Sequence, residues 1–112
     1  LGGEPTEPEH QKPILEFLRK FKTEFPDKTV WMYTGHKFEE LIPVPHGRLN
    51  TPELTCILTL TDVIVDGPFI EALKDIRLNF RGSKNQRIID VQQSLSKNQI
   101  IECAEFYNSA AD

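Results

Sequence analysis

Cysteine is scarce in this chain: Cys56 and Cys103 are the only two. Their separation fits no CxxC pair and no zinc pattern, so the chain cannot hold a thiolate-rich metal centre by itself. A disulfide between them is open on sequence alone, but free thiols in a reducing cytoplasm are the expectation. Long apolar runs are missing as well. None approaches the roughly 20 residues that a membrane-spanning helix needs. Basic residues are outnumbered, 13 to 17, for a net charge of −4. Such a balance gives no broad cationic face for nucleic acid. Neither GxGxxG nor GxxxxGK[ST] occurs, which removes the usual phosphate-cradling loops. The three histidines, His10, His36 and His46, are scattered without ligand spacing. No acid–base or nucleophile–base pair stands out.

What remains is enough for one domain of alternating helices and strands. Of 112 residues, 38% are hydrophobic. Ile14, Leu18, Phe21 and Phe25 recur at helical spacing, predicting a helix over Glu9–Phe25 with Pro13 near its first turn. "TVWMY" reads as a buried strand, with Trp31 and Met32 as core rather than site. "HKFEELI" reads as a short helical segment. The three prolines and the glycine of residues 43–52 predict an exposed loop. Thr51 followed by Pro52 is a helix-start signal, giving a helix to about Leu60, although the Thr and Ile content also suits a strand. "DVIVDGPF" is the clearest strand. "IEALKD" reads as a helical turn or two. "IRLNF" and "RIIDV" are candidate short strands, with "RGSKNQ" between them. The pattern weakens after Val91, so residues 92–112 are expected to form a terminal helix or a loose tail, apart from a unit spanning 1–91.

Alternation of this kind predicts an α/β fold with mostly parallel strands. In such sheets ligands bind beyond the carboxyl ends of the strands. The strand-end residues are Gly2, Gly3 and Glu4, then Tyr33, Thr34 and Gly35, then Asp66 to Phe69, and they should share one rim. The glycines let a backbone approach a ligand closely. Glu4 and exposed carbonyls can accept hydrogen bonds from an ammonium group. Asp66 can bind a cation or hold a loop. In "RGSKNQR", Arg81, Asn85 and Arg87 could grip a carboxylate or phosphate. A solvated hairpin loop is the plainer reading of that stretch, as a simple turn is of Gly2–Pro5.

Four ordered blocks carry a family resemblance: "LGGEP", "PDKTVWMYTGHKFEEL", "TDVIVDGPFIEALKD" and "LNFRGSKNQRIIDV". Together they resemble the activating proteins of anaerobic ribonucleoside-triphosphate reductase, which are radical S-adenosylmethionine enzymes of the glycyl-radical-activase group. The resemblance implies the C-terminal part of an incomplete β/α barrel. It implies that Gly2, Gly3, Glu4 and Pro5 hold the cofactor's amino group, and that Tyr33, Thr34 and Gly35 face the cofactor. Asp66 corresponds to a carboxylate that helps bind a monovalent cation, although Tyr33 stands where some relatives have an acid. Arg81, Asn85 and Arg87 would bind the cofactor carboxylate or the glycine loop of the reductase.

In the family a CxxxCxxC loop ahead of this region binds a [4Fe–4S] cluster. That cluster, fed by an external electron donor, cleaves S-adenosylmethionine to a radical that takes a hydrogen from a reductase glycine. Neither Cys56 nor Cys103 can replace the cysteine triplet. The resemblance therefore implies a cytoplasmic enzyme of which this chain is the C-terminal part, inactive alone, with a sheet edge exposed to pairing. The other readings are a non-catalytic remnant that docks on the reductase and an unrelated small α/β binding module.

Overall fold

A computed structural model describes residues 4–108. Helix α1 runs over Pro8–Glu24, and Pro8, not Pro13, takes its start. Pro13 lies inside the helix, where it removes one backbone donor. The buried positions are Gln11, Leu15 and Leu18, so the apolar stripe faces the core only in part. Phe25 lies just past the helix, exposed, with its ring against Phe21.

Strand β1, Trp31–Tyr33, leads through a short 3-10 turn at Phe38–Glu40 to helix α2, Pro52–Thr59. The Thr51 hydroxyl accepts a hydrogen bond from the Leu54 amide at 3.0 Å, which caps α2 as the sequence predicts. Leu54, Ile57 and Leu58 are fully buried on its inner face. The loop ahead of α2 exposes Val44, Pro45 and His46 but buries Gly47. Strand β2, Val63–Asp66, is buried along its whole length.

Strand β3, Arg87–Asp90, completes a three-stranded sheet in the order β1-β2-β3. β1 pairs parallel with β2, with Trp31 opposite Val63. β3 runs antiparallel, with Arg87 opposite Asp66. The sheet is therefore mixed rather than mostly parallel. The reason lies in the β2–β3 connection. It contains only one 3-10 turn, Glu71–Leu73, and no crossover helix; without a crossover the returning strand comes back antiparallel. "IRLNF" is not a strand either. Asp75 accepts from the Arg77 amide at 3.0 Å and pairs with its guanidinium, folding the chain into a turn there.

Val91 begins helix α3, Val91–Lys97, capped by Asp90 and ended by Asn98 in the left-handed region at φ 52°. The chain then returns along the free edge of β3. The Asp90 amide donates to the Ile101 carbonyl and the Cys103 amide to the Ile88 carbonyl, both at 2.8 Å. Residues beyond Val91 are thus packed down as far as Asn108. Cys56 and Cys103 are both free thiols.

The two faces of the sheet have separate cores. Met32, Ile64 and Ile89 point toward the three helices and meet Leu15, Leu18, Leu54, Ile57 and Leu58. Val63, Val65 and Ile88 point the other way and are covered by Cys103, Phe106 and Tyr107, with Trp31 alongside. This is the strand period of two, read on both sides. Phe80, at φ 64°, contributes its ring to the second face, 5.0 Å from Trp31 and 5.7 Å from Phe106.

Candidate functional site

Parallel pairing puts the carboxyl ends of β1 and β2 on one rim, and the reversal of β3 brings its first residue, Arg87, to the same place. Four segments distant in sequence therefore meet there.

Glu4 is the clamp of the first half. Its Oε1 accepts from the Gly35 amide at 2.7 Å. Its Oε2 accepts from the Thr34 hydroxyl at 2.7 Å, the Thr6 hydroxyl at 2.7 Å and the Thr6 amide at 3.0 Å. Oε2 thus accepts three hydrogen bonds and Oε1 one, all from this chain, so the side chain positions the loop. Burial pushes the Glu4 carboxyl up, but the hydrogen bonds from Gly35, Thr34 and Thr6 outweigh it and hold the group below its ordinary value. His10 adds a tie, its Nδ1 donating to the Glu4 carbonyl at 2.7 Å.

Asp66 is the centre of the second half. Its carboxylate is 1% exposed. Oδ2 accepts from the Phe38 amide at 2.7 Å and from Arg87 at 2.5 Å, while Oδ1 accepts from Arg87 Nε at 3.1 Å. The same guanidinium reaches Glu39 at 2.7 Å. The Arg87 fork holds the Glu39 carboxyl below its ordinary value, and the Asp66 and Glu39 carboxylates push the guanidinium's own pKa up. The cation beside Asp66 is thus part of the chain. The segment 34–38 joins the two halves: the His36 amide donates to the Thr34 hydroxyl at 3.1 Å, and the Gly67 amide to the His36 carbonyl at 2.9 Å.

The other expected site residues fall into three groups. Gly2 and Gly3 lie outside the described residues. Pro5 and Tyr33 line a groove of about 720 Å³ between α1 and β1, together with Ile14, Phe17 and Trp31. Arg81 and Asn85 serve the connection between β2 and β3. The buried Arg81 guanidinium sits 4.6 Å from the centre of the Tyr107 ring and donates to the Lys84 and Gln86 carbonyls at 3.3 Å. Asn85 donates to the Pro68 carbonyl at 2.7 Å. Gly67 has φ 96°, which favours glycine, and Asn85 packs over it. Sequence reasoning missed Thr6, Glu39 and Tyr107. Thr6 had a detectable signal, a hydroxyl two residues after Glu4; the other two gain their roles only from distant partners.

Titration gives a direct check on the clamp. A carboxylate with a depressed folded pKa contributes stability above its unfolded value and loses it as pH falls through the folded one. The Gly35 amide resonance should therefore titrate with a midpoint below 4.5, the ordinary glutamate value. In Glu4→Gln that titration should vanish. An NMR midpoint at or above 4.5 would sink the clamp.

An α/β layer with a strand-end carboxylate clamp and an internal Asp–Arg–Glu cluster is the class the geometry defines. Within it, the chain belongs to the 4Fe-4S single cluster domain family, whose model matches residues 1–89. It is similar to the anaerobic ribonucleoside-triphosphate reductase-activating protein of Escherichia coli strain K12, 36% identical over 85 residues, which are 76% of this chain and 49% of that protein. The protein of the same name from Haemophilus influenzae is 37% identical over 87 residues, covering 78% of this chain and 50% of its own length. Enterobacteria phage T4 has another, 33% identical over 87 residues, with 78% and 48% covered. The chain thus spans about half the length of these relatives. No solved structure matches it.

The described residues do not fit an iron–sulfur cluster. No group of three or more His, Cys, Asp or Glu side chains among them could hold a metal ion. Cys56 and Cys103 are the only cysteines, one short of the three thiolates of a CxxxCxxC loop. No described helix is long and apolar enough to cross a membrane.

Proposed function

We propose that this chain is the C-terminal part of an activating protein for anaerobic ribonucleoside-triphosphate reductase. The complete protein would work in the cytoplasm, use S-adenosylmethionine and an external electron donor, and place a glycyl radical on the reductase. The cluster would be held by thiolates from outside this chain, which is inactive alone. One observation carries the reading. Residues from all four resembling blocks, Glu4, Thr34–Gly35, Asp66 and Arg87, gather at one end of the sheet. That is where an α/β sheet binds its ligand.

On this reading S-adenosylmethionine and the cluster supply the radical chemistry when bound. The chain's own residues shape the cofactor seat. Glu4 fixes the end of β1, and Gly2, Gly3, Glu4 and Pro5 hold the cofactor amine. Tyr33, Thr34 and Gly35 form the wall. Asp66 needs no metal cation, because Arg87 supplies the charge. Arg81 and Asn85 hold the neighbouring loop rather than the cofactor. The sheet is the C-terminal part of an incomplete β/α barrel.

The test begins with the coding sequence upstream of Leu1. An in-frame CxxxCxxC is expected there. The protein encoded with it, given reductant, S-adenosylmethionine and reductase, should produce a glycyl-radical signal in electron paramagnetic resonance. A genuine start near Leu1, or no signal from the longer protein, would overturn the enzyme reading. The first result would leave a docking remnant.

A further inference from the structure

The connection from Gly67 to Gln86 is built inside out. It is longer than the roughly 12–15 residues at which irregular loops become uncommon without a function, and it is ordered by its polar groups. Lys74 and Ser83 form an antiparallel bridge. The Lys84 amide donates to the Leu73 carbonyl at 3.0 Å, and the Ser83 hydroxyl accepts from the Ile70 amide at 3.2 Å. The Asn85 and Gln86 side chains donate to the Pro68 and Gly67 carbonyls at 2.7 and 3.0 Å. The apolar side chains face outward instead. Ile76 is 90% exposed, Phe69 52%, Leu73 39% and Ile70 38%. Four large apolar side chains left exposed on one ordered loop point to an interaction surface.

Charge indicates what covers it. Residues 68–84 carry four basic side chains, Lys74, Arg77, Arg81 and Lys84, against two acidic ones, in a chain whose net charge is −4. Arg81 is buried and Arg77 is paired with Asp75, so the exposed excess of positive charge lies at Lys84 and at Lys74, 3.8 Å from Glu71. A depression of about 520 Å³ at the tip is lined by Leu73 and Ile76 together with Lys74, Lys84 and the Asp75–Arg77 pair. Apolar contact flanked by lysines suits an acidic surface with protruding apolar side chains. The base of the tongue is the Asp66–Arg87 pair, so the tongue springs from the rim.

We infer that the tongue 67–86 is the docking element for the protein partner, gripping an acidic, apolar segment of the reductase beside the rim where the cofactor seat is proposed. This rests on the function proposed above. The test is binding of the purified chain to anaerobic ribonucleoside-triphosphate reductase by fluorescence anisotropy, with Ile76→Asp and Lys74→Glu as variants. Both side chains are exposed, so circular-dichroism melting should not change. Each variant should weaken binding roughly tenfold or more, and added salt should weaken the wild type. Wild-type binding that neither variant alters would overturn the tongue alone. No binding by the wild type would overturn the reductase reading beneath it. A wild-type dimer that both variants convert to monomer in sedimentation would assign the tongue to a second copy and overturn the inference.

Discussion

Replacing Arg87 with alanine should cost this fold about 3 kcal/mol, the low end for removing one partner of a buried ion pair. The physical reason is the carboxylate left behind. Asp66 is 1% exposed and would keep only the Phe38 amide, at 2.7 Å. The low end applies because the Arg87 side chain is itself 27% exposed, so water can reach part of the site. Arg87→Lys retains the charge but loses the fork and should cost about 1 kcal/mol. Adding Asp66→Asn to Arg87→Ala should recover part of the loss, since the stranded charge is gone. Equilibrium urea unfolding at neutral pH measures all three. A loss below about 1 kcal/mol for Arg87→Ala would mean that the pair is solvated and contributes as a surface bridge does. Acid adds a second signature. The Glu39 carboxyl is depressed by Arg87, so its contribution is present above the ordinary carboxylate pKa and is lost as pH falls through the folded value. Arg87→Ala should remove that part of the acid dependence.

Gly47→Ala should be nearly as damaging, at about 2–3 kcal/mol, for the opposite reason: there is no room. A Cβ there would stand 2.5 Å from the carbonyl carbon and oxygen of Glu40 and 2.6 Å from the Glu39 carbonyl oxygen. These are backbone atoms, held in the 3-10 turn that carries Glu39 to Arg87. The added methyl must therefore shift either the turn or the loop. Gly82→Ala is the control. Its Cβ would meet the Phe69 ring at 3.0 Å, and that ring is half exposed and free to swing, so little stability should be lost. Comparable urea midpoints for the two variants would show that the loop at Gly47 yields easily.

These two sites also show what the sequence could and could not disclose. Helix α2 was legible because its signals are local: a Thr cap, a Pro at the first position and an apolar inner face. Strand β2 was legible as a continuous apolar run. The gathering of Glu4, Thr34, Gly35 and Asp66 followed from the strand-end rule. The sense of β3 was not legible, because it depends on whether the preceding connection crosses the sheet, and "IEALKD" yields a single 3-10 turn. Arg87 looked like a ligand-binding fork. Its engagement with Asp66 and Glu39, across 21 and 48 residues of chain, exists only once β3 is antiparallel. Gly47 looked like an ordinary loop glycine because the atoms that crowd it belong to a turn formed elsewhere. The packing of Cys103 and Tyr107 onto the sheet went unread for a similar reason: weak helical periodicity conceals a segment held by an edge rather than by its own hydrogen bonds.

That edge has a consequence for assembly. On β3 the Ile88 amide donates to the Tyr107 hydroxyl at 2.8 Å, and Tyr107 in turn donates to the Glu102 carboxylate. The outer side of β3 is therefore sealed by a side chain and a returning strap. β1 has no second neighbour among the described residues. The sheet can grow in one direction only: a strand from elsewhere in a longer protein, or from another molecule, has a backbone ladder to join at β1 and none at β3. Extension is vectorial, and the tyrosine is its stop.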